Sequence, residues 1–143
     1  MPYRYLEDIA VADVAFEAWG TTLEEMFIAS ADATMNVMVE ELATIENRQS
    51  LEVSVEHGEA DMLLFNFLNE LIFHKDARRL LLRVATLAVA RRDGLFTLHA
   101  LLSGEEIDPA RHSLNVDVKA VTLHRFRVEQ TDRGWEATVV LDI

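Results

Sequence analysis

The sequence predicts an α+β fold: one compact domain with a mixed or antiparallel sheet of about six strands and two helices packed on one face. Segments that alternate between polar and apolar residues, typical of strands, occur together with two longer segments of helical periodicity. Their order is strand, helix, strand, helix and then only strands, which favours antiparallel pairing. No linker-like or repeated segment divides residues 1–143, so we expect a single domain.

The first half of the chain contains two predicted strands around a helix. Residues 11–19 and residues 51–56 alternate in polarity, as a strand with one apolar face does. Residues 22–39 place apolar side chains three and four positions apart, which predicts an amphipathic helix. Thr21 precedes Glu24 and Thr22 precedes Glu25, each at the spacing of a capping box, so the helix is expected to begin at one of the two threonines.

The middle of the chain contains a buried helix and a hairpin. Residues 60–76 are apolar almost all round, which predicts a helix that is covered on most sides. Residues 80–90 and 95–103 are two apolar runs, predicted as strands. Asp93 and Gly94 between them form a dipeptide that favours a tight hairpin turn.

The last forty residues are less regular. Residues 104–112 begin with a glycine and an acidic pair and contain Asp108-Pro109, so they are predicted to form a loop. The pattern of residues 115–124 is mixed, and we assign it no state. Residues 125–130 and 135–142 are predicted to form a final hairpin.

Composition narrows the classes of function. The chain has no cysteine, which excludes disulfides and thiolate metal sites and favours a cytoplasmic location. Half of its residues are hydrophobic, yet no uncharged apolar stretch is long enough for a transmembrane helix, and the first residues do not resemble a signal peptide. We therefore expect a protein that is not bound to a membrane.

The net charge of −12 is concentrated in the first part of the chain. Residues 1–61 contain two basic and fourteen acidic residues, whereas residues 62–143 are neutral overall. An acidic surface repels phosphate backbones, so direct binding of nucleic acid is not expected. It suits a cation or a basic protein partner, although solubility alone would also explain it.

Carboxylates near both ends of the chain are the first candidates for a site. Asp13 lies on the polar face of a predicted strand, and Asp142 precedes the terminal carboxylate of Ile143 at the end of another. An exposed strand position and a charged chain end would explain them separately. If the two strands pair, the three carboxylates converge and require a proton or a hard cation such as calcium or magnesium.

A lysine and two histidines are the remaining candidates. Lys119 lies in an apolar stretch, where it either neutralises a carboxylate, contacts a partner or simply extends to the surface. His112 and His124 flank that stretch. No HExxH motif or glycine-rich phosphate loop occurs, so a zinc site and a nucleotide-binding loop are not predicted.

Five motifs, in order and at matching spacing, together resemble the archease family. They span nearly the whole chain and read ADVAFEAWGTTLEEMF, LLFNFLNELIF, GEEIDPARH, VKAVTLH and a final LDI. The resemblance implies a compact SHS2-type α+β domain. It also implies a helper protein of the RtcB-type tRNA-splicing RNA ligase, which promotes guanylylation of the ligase histidine and multiple turnover and is not itself an enzyme. A general chaperone of nucleic-acid-processing proteins and a metal-dependent hydrolase are the alternatives.

The resemblance also assigns roles to individual residues. It implies a calcium site formed by Asp13, Asp142 and the terminal carboxylate of Ile143, and a functional lysine at Lys119. Other positions match family motifs and are candidates for partner contacts: Arg111, His112, Thr122 and His124. The chain departs from the family where many members have His-Thr, since Ala10 and Val11 stand there, and this makes the expected surroundings of Asp13 more apolar.

Overall fold

A computed structural model describes residues 2–7 and 13–143 of the chain. The predicted α+β class is confirmed, and all strand pairs in the described residues are antiparallel. The helices are α1 Leu23–Met38 and α2 Ala60–Arg78, with a short 3₁₀ turn at Leu42–Thr44. The strands are β1 Tyr3–Leu6, β2 Asp13–Gly20, β3 Gln49–His57, β4 Leu80–Arg92, β5 Leu95–Glu106, β6 Ala120–Thr131 and β7 Gly134–Asp142.

The strands form two sheets rather than the one sheet of about six strands that was predicted. In the described residues one sheet has the order β1-β2-β7-β6 and the other β3-β5-β4. Helix α1 packs on β2 and β7 of the first sheet and on β4 of the second, and α2 likewise contacts strands of both sheets. One hydrophobic core therefore joins the sheets, with Phe27 of α1 stacked on Phe67 of α2 at its centre.

Local sequence signals fix the beginnings of elements as predicted. The Thr22 hydroxyl accepts a hydrogen bond from the Glu25 amide at 3.2 Å, and the Glu25 carboxylate accepts one from the Thr22 amide at 3.4 Å. Of the two pairs at capping-box spacing, Thr22 and Glu25 are therefore the one that starts α1. Asp93 and Gly94 both have positive φ, as the two central residues of a type I′ hairpin turn require.

The predicted loop over residues 104–112 is wrong for its first three residues. Gly104 belongs to β5 and pairs with Leu82 of β4 in the ladder. A Cβ atom on Gly104 would lie 1.8 Å from the carbonyl oxygen of Leu81. The glycine is therefore needed for close approach of two strands, whereas the sequence pattern indicated a turn.

The segment left unassigned and the last hairpin differ in extent from the prediction. Strand β6 begins at Ala120, and its register with β7 shifts between Thr122 and Arg127. Residues 123–126 there lie opposite the single residue Val139, so β6 bulges by three extra residues, with Arg125 in the left-handed region. Within residues 2–7 and 13–143, no helix is both long and apolar enough to cross a membrane.

Candidate functional site

Two aspartates face each other at one end of the four-stranded sheet. Asp13, the first residue of β2, is the direct cross-strand partner of Asp142, the last residue of β7. Directly opposite residues have their Cβ atoms roughly 5 Å apart and their side chains on the same face. We call Asp13 and Asp142 the carboxylate pair. Ile143 follows immediately and packs against the hydrophobic core, so the end of the chain is held beside the pair.

The core fixes the register that creates this pair. Val14 and Phe16 of β2 lie opposite Leu141 and Val139 of β7, and all four contribute to the hydrophobic core. A slip of one residue would turn the apolar side chains of β2 to the other face of the sheet. Burial of Phe16 therefore fixes the register that places Asp13, three residues earlier, opposite Asp142.

The chemistry of the carboxylate pair fits a hard cation. Like charges directly opposite each other destabilise a sheet by roughly 0.2–1 kcal/mol, and a cation or a proton removes this repulsion. The available donors are oxygens, which calcium and magnesium prefer. Among the described residues no group of three or more His, Asp or Glu side chains is arranged to hold a metal. A hard cation such as calcium takes about six to eight oxygen ligands, so the two side chains of the carboxylate pair would supply only part of its coordination.

A buried hydroxyl lies on the same face of the sheet. Ala120 of β6 is the partner of Asp142, and Thr122 is the partner of Val140, two residues earlier on β7. The Oγ1 atom of Thr122 is buried and, within the part of the chain that the structure describes, has no hydrogen-bond partner. An orphaned oxygen diagonal to Asp142 is further support for a polar occupant, such as a hydrated ion, at this end of the sheet.

Lys119 is brought to the carboxylate pair by its backbone. Its amide donates a 2.8 Å hydrogen bond to the carbonyl oxygen of Asp142, and its side chain is exposed. The structure thus brings together Asp13, Asp142, Ile143 and Lys119. A buried lysine paired with carboxylates is found at Lys75, which sequence analysis missed. One sequence signal could have indicated that Lys75 is buried. It follows Ile72 and Leu71 by three and four residues and so lies on the apolar face of α2.

Arg111 and His112 lie in a different cluster, around the buried side chain of Glu105. His112 Nε2 contacts the Glu105 carboxylate at 3.1 Å, and its Nδ1 accepts a 2.9 Å hydrogen bond from the Asp108 amide. The proton of the neutral ring is therefore on Nε2. Arg111 also donates to Glu105 and to the carbonyl oxygen of Thr44. His112 is only 3% exposed, and in this structure its ring is bound to Glu105 inside the protein. Its contact with a partner stays a prediction.

No hydrogen bond or ion pair within residues 2–7 and 13–143 connects the Glu105 cluster to the side chains of the carboxylate pair. Arg111 is partly exposed, and its partner contact stays a prediction, as does that of His124, which is exposed in the bulge of β6. Ala10 and Val11, where the chain departs from the motif, lie outside the described residues.

Glu105 should stabilise the fold at neutral pH and lose this effect in acid. Burial by itself would raise the pKa of Glu105, but hydrogen bonds from the Glu46 amide, Arg111 and His112 outweigh it and lower the pKa to about 2. The stabilisation is therefore complete above the unfolded-state pKa of 4.5 and is lost as pH falls towards 2. We expect Glu105→Gln to lower the free energy of unfolding at pH 7 by roughly 1–3 kcal/mol.

Urea unfolding of Glu105→Gln and of the wild type at pH 7, 4.5 and 3 checks this dependence. The difference between the two proteins should shrink as pH falls, because protonation removes the same interactions from the wild type. Glu106→Gln, at the exposed neighbouring position, is the matched control and should change little at any pH. A difference that is constant with pH would contradict the assignment.

The sequence is similar to known proteins over almost its whole length. The sequence model of the Archease protein family matches residues 3–143. A protein archease of Pyrococcus furiosus is 34% identical over 133 residues, which cover 92% of this chain and 93% of that protein. A protein archease of Methanopyrus kandleri is 29% identical over the full length of both chains.

Solved structures share the fold. The solution structure of protein 1598 of Methanobacterium thermoautotrophicum has a TM-score of 0.85 and 29% identity, covering 99% of each chain. The crystal structure of a Thermotoga maritima protein described as an archease and possible chaperone has a TM-score of 0.63 at 16% identity, covering 96% of this chain and 97% of that one, and supports the fold alone.

Proposed function

This chain belongs to the archease family, and from that premise we propose that it is an accessory protein that activates an RtcB-type tRNA-splicing RNA ligase. Its proposed effect is to promote guanylylation of the ligase histidine by GTP and to allow the ligase many turnovers. The observation that carries the proposal is the carboxylate pair, which the fold holds beside the end of the chain and beside Lys119.

We propose that Asp13, Asp142 and the terminal carboxylate of Ile143 hold calcium or another hard divalent cation. When bound, such a cation supplies positive charge that attracts phosphate oxygens. The protein's own contribution is geometric: β2 and β7 fix two of the carboxylates on one face. The exposed ammonium group of Lys119, anchored to Asp142 through its backbone, adds a second positive charge for the phosphates of GTP in the ligase.

Charge supports docking on a ligase. The acidic excess of the chain lies in residues 1–61, which include β1 and β2 of the sheet that bears the carboxylate pair, together with α1 and β3. A ligase cleft that binds RNA must be basic, so opposite charges would steer the two proteins together and the rate of association should fall with salt.

The proposed role is assistance and not catalysis by this chain. Hydrolysis at a cation would need a neighbouring general base or nucleophile. Within the described residues, the carboxylate pair has no serine or histidine hydrogen-bonded to it in such an arrangement. A metal-dependent hydrolase and a general chaperone of nucleic-acid-processing proteins are the competing functions, and the following experiment separates them.

Extension of the chain by two glycines after Ile143 should abolish activation of the ligase. The extension moves the terminal carboxylate away from the carboxylate pair but keeps every side chain in place. Formation of guanylylated ligase from GTP would be measured with no addition, with the wild type and with the extended chain. Two glycines added at the opposite end of the chain provide the control, which should activate as the wild type does.

Equal activation by both extended proteins would exclude the terminal carboxylate as a ligand. If the wild type did not activate the ligase, the proposed function would be wrong. Rescue of aggregating nucleic-acid enzymes by both extended proteins would then favour the chaperone. Turnover of a phosphoester by the protein alone would favour the hydrolase.

A further inference from the structure

Lys75, a buried lysine near the end of α2, is hydrogen-bonded to the segment that leads to Lys119. The side chain of Lys75 is only 5% exposed, although it carries a charge. Its ammonium group donates hydrogen bonds to the carboxylates of Asp76 and Asp117, the latter at 2.7 Å, and to the carbonyl oxygen of Val118 at 2.9 Å. All three donors of the ammonium group are therefore used, and two of them hold residues 42 and 43 positions away.

The ion pair with Asp117 supports this geometry. Burial by itself would lower the pKa of Lys75, but its hydrogen bonds to Asp117 and Asp76 outweigh it and raise the pKa. Lys75 is thus charged throughout the neutral range. A buried charge is retained only where its hydrogen bonds are satisfied. The charged form of Lys75 therefore requires its acceptors on the segment, the Asp117 carboxylate and the Val118 carbonyl oxygen.

The segment that Lys75 binds, Asp117–Lys119, connects directly to the carboxylate pair. Val118 is completely buried in the core, and the next residue, Lys119, donates its amide hydrogen to the carbonyl oxygen of Asp142. From Asp117 to Lys119 the chain has no regular secondary structure of its own. Its position is therefore set by three contacts: Lys75 with Asp117 and Val118, the burial of Val118, and the bond to Asp142.

We propose that Lys75 is a positioning residue that anchors Asp117–Lys119 to α2 and so keeps Lys119 beside the carboxylate pair. Without the anchor, the amide of Lys119 would leave Asp142 more often, and its side chain would sample a wider range of positions. The anchoring itself is a property of the free protein. Only its consequence for the ligase rests on the proposed function.

Amide hydrogen exchange in the free, full-length protein tests the anchor. We expect Lys75→Met, which has similar length but no charge, to accelerate exchange of the Lys119 amide at least tenfold while the amides of α1 are unchanged. Asp117→Asn removes only the charge of an exposed partner and should fold normally, with a smaller acceleration at Lys119. Arg83→Met is the matched control, since it breaks another ion pair, with Asp32 of α1, and should leave Lys119 unaffected.

Each result decides the inference. Unchanged exchange at Lys119 in both Lys75→Met and Asp117→Asn would overturn it. Equal acceleration of all amides in Lys75→Met, with no change at Lys119 in Asp117→Asn, would also overturn it, because Lys75 would then contribute only to global stability. Local acceleration in both variants would establish the anchor.

Ligase guanylylation with the same variants separates this inference from the proposed function. Loss of activation together with local acceleration at Lys119 is the expected result, and it supports both the anchor and its use. Local acceleration with full activation would leave the anchor established but overturn its importance for the ligase. If even the wild type failed to activate the ligase, the proposed function would be wrong, while the exchange rates would still decide whether Lys75 anchors the segment.

Discussion

Replacement of Asp142 by asparagine should abolish activation of the ligase and, at the same time, stabilise the protein when no cation is present. Asp142 lies directly opposite Asp13, so the substitution removes both a ligand and a repulsion between like charges. The free energy of unfolding in a chelating buffer should therefore rise by roughly 0.2–1 kcal/mol. Asp13→Asn should have the same two effects, because the two residues form one site.

In the presence of calcium, the wild type should instead be more stable than Asp142→Asn and Asp13→Asn. A calcium concentration 100 times the dissociation constant stabilises a one-site protein by about 2.7 kcal/mol, and only the wild type should respond in this way. Thermal unfolding with and without calcium measures the stability, and formation of guanylylated ligase measures the activity. Glu136→Gln, at an exposed position of the same strand, is the control and should keep both responses.

The combination of effects makes this prediction specific. A general loss of structure would lower both activity and stability, whereas loss of a cation site lowers activity and raises the stability of the cation-free protein. Normal activation by both Asp13→Asn and Asp142→Asn would contradict the proposed role of the carboxylate pair. A calcium response that persists in both variants would place the cation elsewhere.

The substitution Gly104→Ala, which adds a single methyl group, should strongly destabilise the fold. The new Cβ would lie 1.8 Å from the Leu81 carbonyl oxygen and 2.9 Å from its carbonyl carbon. Both are backbone atoms of the paired strand, so relief requires β4 and β5 to separate. We expect the free energy of unfolding to fall by more than about 3 kcal/mol, or the variant not to fold.

Gly58→Ala provides the matched control for this prediction. There the nearest atom to the added Cβ, the carbonyl oxygen of Gly94, is 3.8 Å away, which is an ordinary van der Waals contact. We expect a change in stability of about 0.5 kcal/mol or less. Urea unfolding of both variants checks the pair. Similar stabilities would show that the strands at Gly104 separate easily, against the close packing described here.

Local signals in the sequence determined the elements that depend on neighbouring residues. The capping box of Thr22 and Glu25 set the start of α1, and Asp93-Gly94 set the turn between β4 and β5. Such features could be predicted because their hydrogen bonds and backbone angles are satisfied within four residues. The motif set also indicated the family, which the comparisons confirm.

Local sequence signals were wrong or incomplete where the main contact of a residue is with a segment that is distant in the sequence. Gly104 was predicted to lie in a loop but belongs to a strand packed against Leu81. The sequence pattern did not single out Lys75, whose side chain reaches Asp117 and Val118. In each case the deciding contact is made with a chain segment whose position the local pattern does not specify.

The sequence by itself thus determined the α+β class, the two helices, two hairpins and the acidic first part of this protein. Only the tertiary structure decided that the strands form two sheets, that Asp13 meets Asp142 and that Lys75 reaches Val118. The physical reason is that pairing between strands more than a hundred residues apart is selected by burial of whole faces, such as that of Phe16 against Val139. Periodicity shows which face of a strand is apolar, but the partner and the register follow only when all those faces are packed together.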